Sequence, residues 1–191
     1  HIRAVDDVQI KVQGNENAVI CTGNGSVDLY HANSKKFETS SGGIIVTGQM
    51  YSNSAQIVGA AGGDSVLELY SDAGGQDADK VRIRQTHVGN SFLIESYASG
   101  AYQSILKGTD SRSIELHYQG SKKLETFANG MIVYGPEGGG GLVNIYADEG
   151  DDNADKWRLH ANPNGSFYLQ NYTSGSWESN LAATGDGATS L

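Results

Sequence analysis

Carboxylate and amide oxygens, the ligands that a hard cation prefers, are concentrated in residues 148–155. Asp151, Asn153 and Asp155 stand at alternate positions, so their side chains could bind calcium. A complete calcium loop would also have Gly at the sixth position from Asp151 and Glu at the twelfth, where this chain has Lys and Asn. The incomplete pattern favours hydrogen-bonded turns over a metal site. We therefore expect no bound metal and no cofactor.

Aromatic residues in polar surroundings could instead stack on sugar rings. Tyr30, Tyr51, Tyr134 and Trp177 stand among polar residues such as Asn and Asp, a composition found on lectin-like surfaces. At least half of these four are expected to be core residues. Tyr30, Tyr134 and Trp177 are the candidate glycan contacts.

An internal repeat allows these candidates to be compared between copies. Residues 26–48 align with residues 113–135 without a gap, and 11 of the 23 positions are identical. A second pair, residues 67–83 and 143–159, aligns at an offset of 76. The chain therefore alternates two modules, A and B. We expect the end of a preceding repeat at 1–16, module A with a linker at 17–61, module B at 62–103, a second module A at 104–137, a second module B at 138–178 and the start of a third module A at 179–191.

The repeat argues against catalysis. Four histidines are replaced at aligned positions: His31 by Tyr118, His87 by Pro163, His117 by Tyr30 and His160 by Arg84. No serine lies in a Gly-x-Ser-x-Gly elbow. A pair of carboxylates could hydrolyse a glycan, but the duplicated acids fall in predicted hairpins and loops. We expect no enzyme activity, and a glycan depolymerase is the remaining enzymatic alternative.

The composition excludes several classes of partner. The chain has 13 Lys and Arg against 22 Asp and Glu, a net charge of −9, which argues against nucleic acid and anionic membranes. No apolar run approaches the roughly 20 residues of a membrane helix, so membrane insertion is not expected. Cys21 is the only cysteine, which excludes an intrachain disulfide.

Apolar residues alternate with polar ones throughout the chain. Val27 and Leu29 alternate with Asp28 and Tyr30, the period of a half-buried strand. Turn residues separate such runs at short intervals, which predicts an all-β fold of tandem antiparallel meanders. Each meander would have one apolar face that must be covered. We therefore expect an elongated fibre whose core is shared, in an intertwined homotrimer with a β-prism or triple-stranded β-structure.

A Ser-Lys-Lys motif occurs in both copies of module A. The pattern predicts a solvated turn, with Lys36 or Lys123 across from an acid such as Asp28 or Glu115. Such a pair would fix the register of the hairpin.

Two segments carry a family resemblance: the pattern S-V-D-L-Y-x-x-x-S-K-K-F-E-T-x-x-x-G-I-x-V-T-G at 26–48, and Y-x-D-x-G-D-x-x-A-D-K-W-R-L at 146–159. Both resemble repeats in tail fibres and other long structural proteins of marine bacteriophages, especially those that infect cyanobacteria. The resemblance implies a non-enzymatic shaft module in an extracellular virion appendage, which positions a distal receptor-binding tip. Its partners would be further copies of itself and other virion tail proteins. The alternative function is a carbohydrate-binding module that contacts host surface polysaccharide.

Overall fold

A computed structural model describes residues 3–190 of the chain. These residues form antiparallel β-sheets connected by turns, and they contain no α-helix. The predicted all-β, antiparallel fold class is therefore confirmed. The chain divides into two compact units, and the boundary in the sequence lies between Gln56 and Ile57.

The first unit contains one five-stranded sheet, the first sheet, whose strands are neighbours in the order of the sequence. Its strands are β1 (Val8–Val12), β2 (Glu16–Cys21), β3 (Val27–His31), β4 (Ser34–Ser40) and β5 (Gly43–Val46).

The second unit contains two further meanders. The second sheet has seven strands: β6 (Ser65–Tyr70), β7 (Lys80–Gln85), β8 (Phe92–Ala98), β9 (Ala101–Gly108), β10 (Ile114–Tyr118), β11 (Ser121–Phe127) and β12 (Gly130–Val133). The third sheet has five: β13 (Gly141–Tyr146), β14 (Lys156–Ala161), β15 (Phe167–Asn171), β16 (Glu178–Ala183) and β17 (Thr189–Ser190). Short 3-10 turns connect β6 to β7 and β13 to β14, at Asp72–Gly74, Asp77–Asp79, Asp148–Gly150 and Asn153–Asp155.

The first and third sheets repeat parts of the second. The register shifts by one residue after Ile94 in β8, after Ile10 in β1 and after Leu169 in β15. Such shifts are β-bulges, in which one strand has an extra residue. By this correspondence β1–β5 match β8–β12, and β13–β17 match β6–β10. The segments expected as module B at 62–103 and module A at 104–137 thus share one continuous sheet.

Matching turns fix the register of the module A hairpins. The β3–β4 turn has Ala32 and Asn33 at φ 48° and 59°, and the β10–β11 turn has Gln119 and Gly120 at φ 50° and 75°. Two successive residues with positive φ are characteristic of the type I′ turn, whose twist matches that of paired strands.

The sheets bury little apolar surface. Leu93 is the only buried apolar residue among residues 3–190, at 6% exposure. The chain exposes 13720 Å², whereas a compact monomer of 20.2 kDa exposes about 8,800 Å². No helix in the described part of the chain is long and apolar enough to cross a membrane.

Candidate functional site

Each sheet has an apolar face and a polar face, because side chains alternate along a strand. Register pairs place Leu29 beside Phe37 in the first sheet and Leu116 beside Leu124 in the second. Leu29 and Leu116 are each 41% exposed, so neither is covered by the chain itself. The exposed residues of the apolar faces are Val27, Leu29, Ile44 and Val46 in the first sheet, Leu67, Leu69, Phe92, Ile114, Leu116 and Met131 in the second, and Val143, Ile145, Trp157 and Phe167 in the third.

The polar face is more buried than the apolar face. Asp28 and its counterpart Glu115 are 6% and 8% exposed, and Glu95 and its counterpart Gln170 are 3% and 8% exposed. Long charged and aromatic side chains lie across this face and cover one another with their apolar stems. The strands are therefore half-buried, as predicted, but the covered side is the polar one, which the residue types would assign to solvent.

Glu95 is the centre of an ion-pair network on the second sheet. Its Oε2 accepts from Arg82 Nε at 2.6 Å and from Arg84 Nε at 2.9 Å, while its Oε1 accepts from Arg84 Nη2 at 2.8 Å. Arg84 Nη1 also lies 2.8 Å from Asp64 Oδ2. Burial opposes the ionisation of Glu95, but the hydrogen bonds from the two arginines outweigh it and hold its pKa below the usual value.

A second network joins strands β9 to β11. Lys122 Nζ lies 3.2 Å from Glu115 Oε1 and 2.7 Å from Glu125 Oε2, and Lys107 Nζ lies 3.7 Å from Glu115. The hydrogen bond from Lys122, supported by one from the Tyr134 hydroxyl, lowers the pKa of Glu125. The network links three strands through charge-assisted bonds.

The paired lysine is the first of each Ser-Lys-Lys motif. In the first sheet Lys35 Nζ lies 2.9 Å from Asp28 Oδ2 and 3.1 Å from Glu38 Oε2. The prediction that Lys36 or Lys123 pairs with the acid was wrong. The register shifts after Leu29 and after Leu116, so the second lysine of each motif is the bulged residue and has no cross-strand partner.

Arginine stacks on an aromatic ring at the same place in both copies of module B. The guanidinium carbon of Arg82 lies 3.8 Å from the ring centroid of Tyr102, and that of Arg158 lies 4.1 Å from the ring centroid of Trp177. Lys80 and Lys156 lie 4.9 Å and 5.9 Å from the rings of Tyr97 and Tyr172 in the same way. These distances are typical of cation–π contacts.

The three candidate glycan contacts all lie on the polar face and are half-buried. The Tyr30 hydroxyl donates to Asp28 Oδ2 at 3.3 Å, and the Tyr134 hydroxyl donates to Glu125 Oε2 at 2.7 Å. Trp177 is stacked with Arg158. Each belongs to a different sheet or its flanking turn, so the structure does not bring the three into one cluster.

The acidic segment brings two of the three candidate calcium ligands, Asp151 and Asp155, together with Asp152. The carboxylates of Asp151, Asp152 and Asp155 lie within 4.8 Å of one another. Asp151 Oδ1 accepts from the backbone N–H of Asp152 at 3.0 Å. In the first copy, the carboxylate of Asp79 accepts from the backbone N–H of Gln76 at 2.9 Å, as expected of a hydrogen-bonded turn. The expectation that this segment holds no metal stays a prediction.

Single-residue patterns did not reveal the ion pairs of β7 and β8. Arg82, Arg84 and Glu95 stand in alternating runs, which predict a strand but not its ion pairs. The only available signal was the comparison of copies, in which Glu95 aligns with the uncharged Gln170. Comparisons with known proteins identify no relative: no family model matches the chain, no curated protein matches its sequence, and no solved structure matches its fold. The function proposed for the chain therefore depends on the two faces and on the repeat.

Proposed function

We propose that this chain is a structural shaft module of a phage tail fibre or a similar extracellular virion appendage. In this function it assembles as a homotrimer, performs no catalysis and positions a distal receptor-binding tip. The observation that supports the proposal is that each of the three sheets has an apolar face with exposed side chains, which the described chain leaves uncovered.

The amount of exposed surface supports an obligate assembly. The chain exposes about 5,000 Å² more than a compact monomer of its mass would. Obligate interfaces commonly bury about 2,000–5,000 Å² or more, and they are more apolar than transient ones. The surplus is therefore of the size that packing against further chains would remove.

Further copies of the same chain are the partners that best fit this surface. The apolar pattern is repeated from sheet to sheet, so a symmetric assembly lets every copy present the same surface to its neighbours. Apolar faces then pack together, while the ion-paired polar faces and the net charge of −9 limit bundling of assembled particles. Three single-layer sheets, one from each of three chains, can enclose one prism-shaped core. A trimer also agrees with the resemblance to tail-fibre repeats.

A mass measurement in solution tests the assembly. Light scattering coupled to size exclusion should give about three times 20.2 kDa. Leu116→Glu places a charge on the apolar face and should shift the mass towards the monomer, because an unpaired buried charge is costly. Lys36→Gln, at an exposed bulge, is the matched control and should leave the mass unchanged. A folded monomer that persists on dilution would refute the shared core.

A further inference from the structure

Strands β7 and β14 are counterparts, and each presents three basic side chains to the polar face. In β7 these are Lys80, Arg82 and Arg84, and in β14 they are Lys156, Arg158 and His160. The contacts with aromatic rings described above confirm the common orientation of both lysine and arginine pairs. Lys80 and Arg82 are therefore retained in the second copy as Lys156 and Arg158, while Arg84 becomes His160.

The acids that neutralise those groups have not been retained. The acids that contact these cations, Asp64, Asp77 and Glu95, align with Gly140, Asn153 and Gln170, so three carboxylates become a glycine and two amides. Glu68, the register partner of Arg82, aligns with Asn144. Asn144 pairs with Arg158 across β13 and β14, and Arg158 pairs with Gln170 across β14 and β15. The replaced residues therefore flank the arginine on both sides.

The result is a pair of cations, Lys156 and Arg158, without counter-ions and with a histidine beside them. Among residues 3–190, no carboxylate oxygen lies within 4.0 Å of a side-chain nitrogen of Lys156, Arg158 or His160. Arg158 Nε instead donates to the neutral Oε1 of Gln170 at 2.7 Å. Burial lowers the pKa of Arg158, which shows that its charge is partly withdrawn from water without a neutralising partner.

Aromatic rings alternate with these cations. Trp177 stacks with Arg158 on one side and lies 5.1 Å from Tyr172 between ring centroids. His160 lies 5.9 Å from Tyr168 between ring centroids. We name the six residues Lys156, Arg158, His160, Tyr168, Tyr172 and Trp177 the basic-aromatic patch. All six are half-buried, so part of each side chain is accessible to a ligand.

We propose that the basic-aromatic patch binds an acidic polysaccharide. The cations would pair with carboxylate or sulfate groups, and the rings would contact the apolar faces of the sugars. The exposed residues Asn144 and Ser179 are the register partners of Arg158 and Gln170 and can hydrogen-bond to sugar hydroxyls. The net charge of −9 disfavours polymers as densely charged as nucleic acid. This binding site goes beyond the structural function proposed above and does not depend on the number of chains.

Calorimetric titration of the full chain with three polymers tests the proposal. Oligogalacturonate supplies carboxylates, a kappa-carrageenan oligosaccharide supplies sulfates at a low charge density, and unmodified dextran supplies neither. Saturable binding of one or both anionic polymers is expected, with no binding of dextran. The arm that binds more tightly identifies the preferred anion. Binding of all three with similar affinity would overturn the proposal.

Variants that recreate the first copy make the test specific. Gln170→Glu restores the acid found at Glu95, and it should weaken binding at least tenfold because Arg158 is then neutralised internally. The first copy already folds with this ion pair, so loss of binding cannot be ascribed to misfolding of the module. Arg158→Gln should also lower the affinity for the polymer at least tenfold, and Lys36→Gln should leave the affinity unchanged.

Two outcomes separate this proposal from the assembly. If neither anionic polymer binds but Arg158→Gln changes the mass of the particle, the basic-aromatic patch is a contact between copies and the proposal fails. If a monomeric chain still binds the polymer, and Gln170→Glu abolishes that binding, the patch is confirmed while the proposed trimer is refuted.

Discussion

Replacing Glu95 with glutamine measures what the most buried carboxylate of the polar face contributes to stability. The wild-type side chain is 3% exposed and accepts hydrogen bonds from Arg82 and Arg84. The second copy shows what the variant can keep, since Gln170 accepts one such bond from Arg158 at 2.7 Å. Glu95→Gln therefore removes the charge and at least one bond, with little change in shape.

The expected loss follows from the exposure of the partners. Removing one member of a fully buried ion pair costs about 3–5 kcal/mol. Here Arg82 and Arg84 are 20% and 23% exposed, Arg84 keeps Asp64, and one hydrogen bond to the glutamine can remain. We therefore expect a loss of about 2 kcal/mol in the free energy of unfolding. For a chain of this length the melting temperature should fall by about 4–8 °C.

The pH dependence identifies the charge as the cause. Folding lowers the pKa of Glu95. The carboxylate therefore contributes fully to the free energy of unfolding above the pKa that it has in the unfolded chain, and this contribution is lost as the pH falls through the pKa of the folded state. The difference in stability between wild type and Glu95→Gln should be constant from pH 6 to pH 8 and should shrink below about pH 4.5. Other acids titrate in both proteins, so most of their effect cancels in the difference.

Thermal melts at fixed protein concentration, followed by circular dichroism, provide the assay. Glu137→Gln is the matched control, because Glu137 is exposed and has no ion pair within the described residues. A melting temperature equal to that of the wild type would contradict the reasoning. So would a large difference that persists unchanged at low pH, since a packing defect rather than a charge would then be responsible.

Two further predictions concern the hairpins and the acidic segment. Lys122→Gln should lower the melting temperature more than Lys123→Gln, because Lys122 contacts two carboxylates and Lys123 is the bulged residue; equal melting temperatures would contradict the assigned register. Chelation by EDTA should leave the melting temperature unchanged, because the first-copy loop forms the same pair of turns with Gly75 in place of Asp151. A fall restored by added calcium would show that residues 148–155 bind the ion.

The sequence predicted the strands and their faces well, because alternation is a local property. Val27 and Leu29 lie on one face and Asp28 on the other, as their spacing indicates. The position of a bulge depends on how two strands twist against each other, and this is not encoded in either strand alone. The assignment of Lys36 failed for that reason, although the hairpin and the acid were predicted.

Burial of the polar face could not be read from residue types. Glu95 is a poor candidate for burial by composition, yet two arginines from the neighbouring strand cover it. Hydropathy ranks each residue separately, whereas this burial arises from long side chains that lie across the sheet. The candidate glycan contact Trp177 was selected by type, and its stacking with Arg158 became visible only once β14 and the loop after β15 were placed together.

A single-layer sheet lets two selective pressures act on one strand without interfering. Ile94 and its counterpart Leu169 face one side and stay aliphatic, while the adjacent residue changes from Glu95 to Gln170 on the other. After a duplication, mutation can thus alter the chemistry of one surface and leave the other intact. Tandem copies can diverge into a row of different surfaces on an unchanged scaffold, a property that protein engineers could use to display chosen side chains at regular intervals.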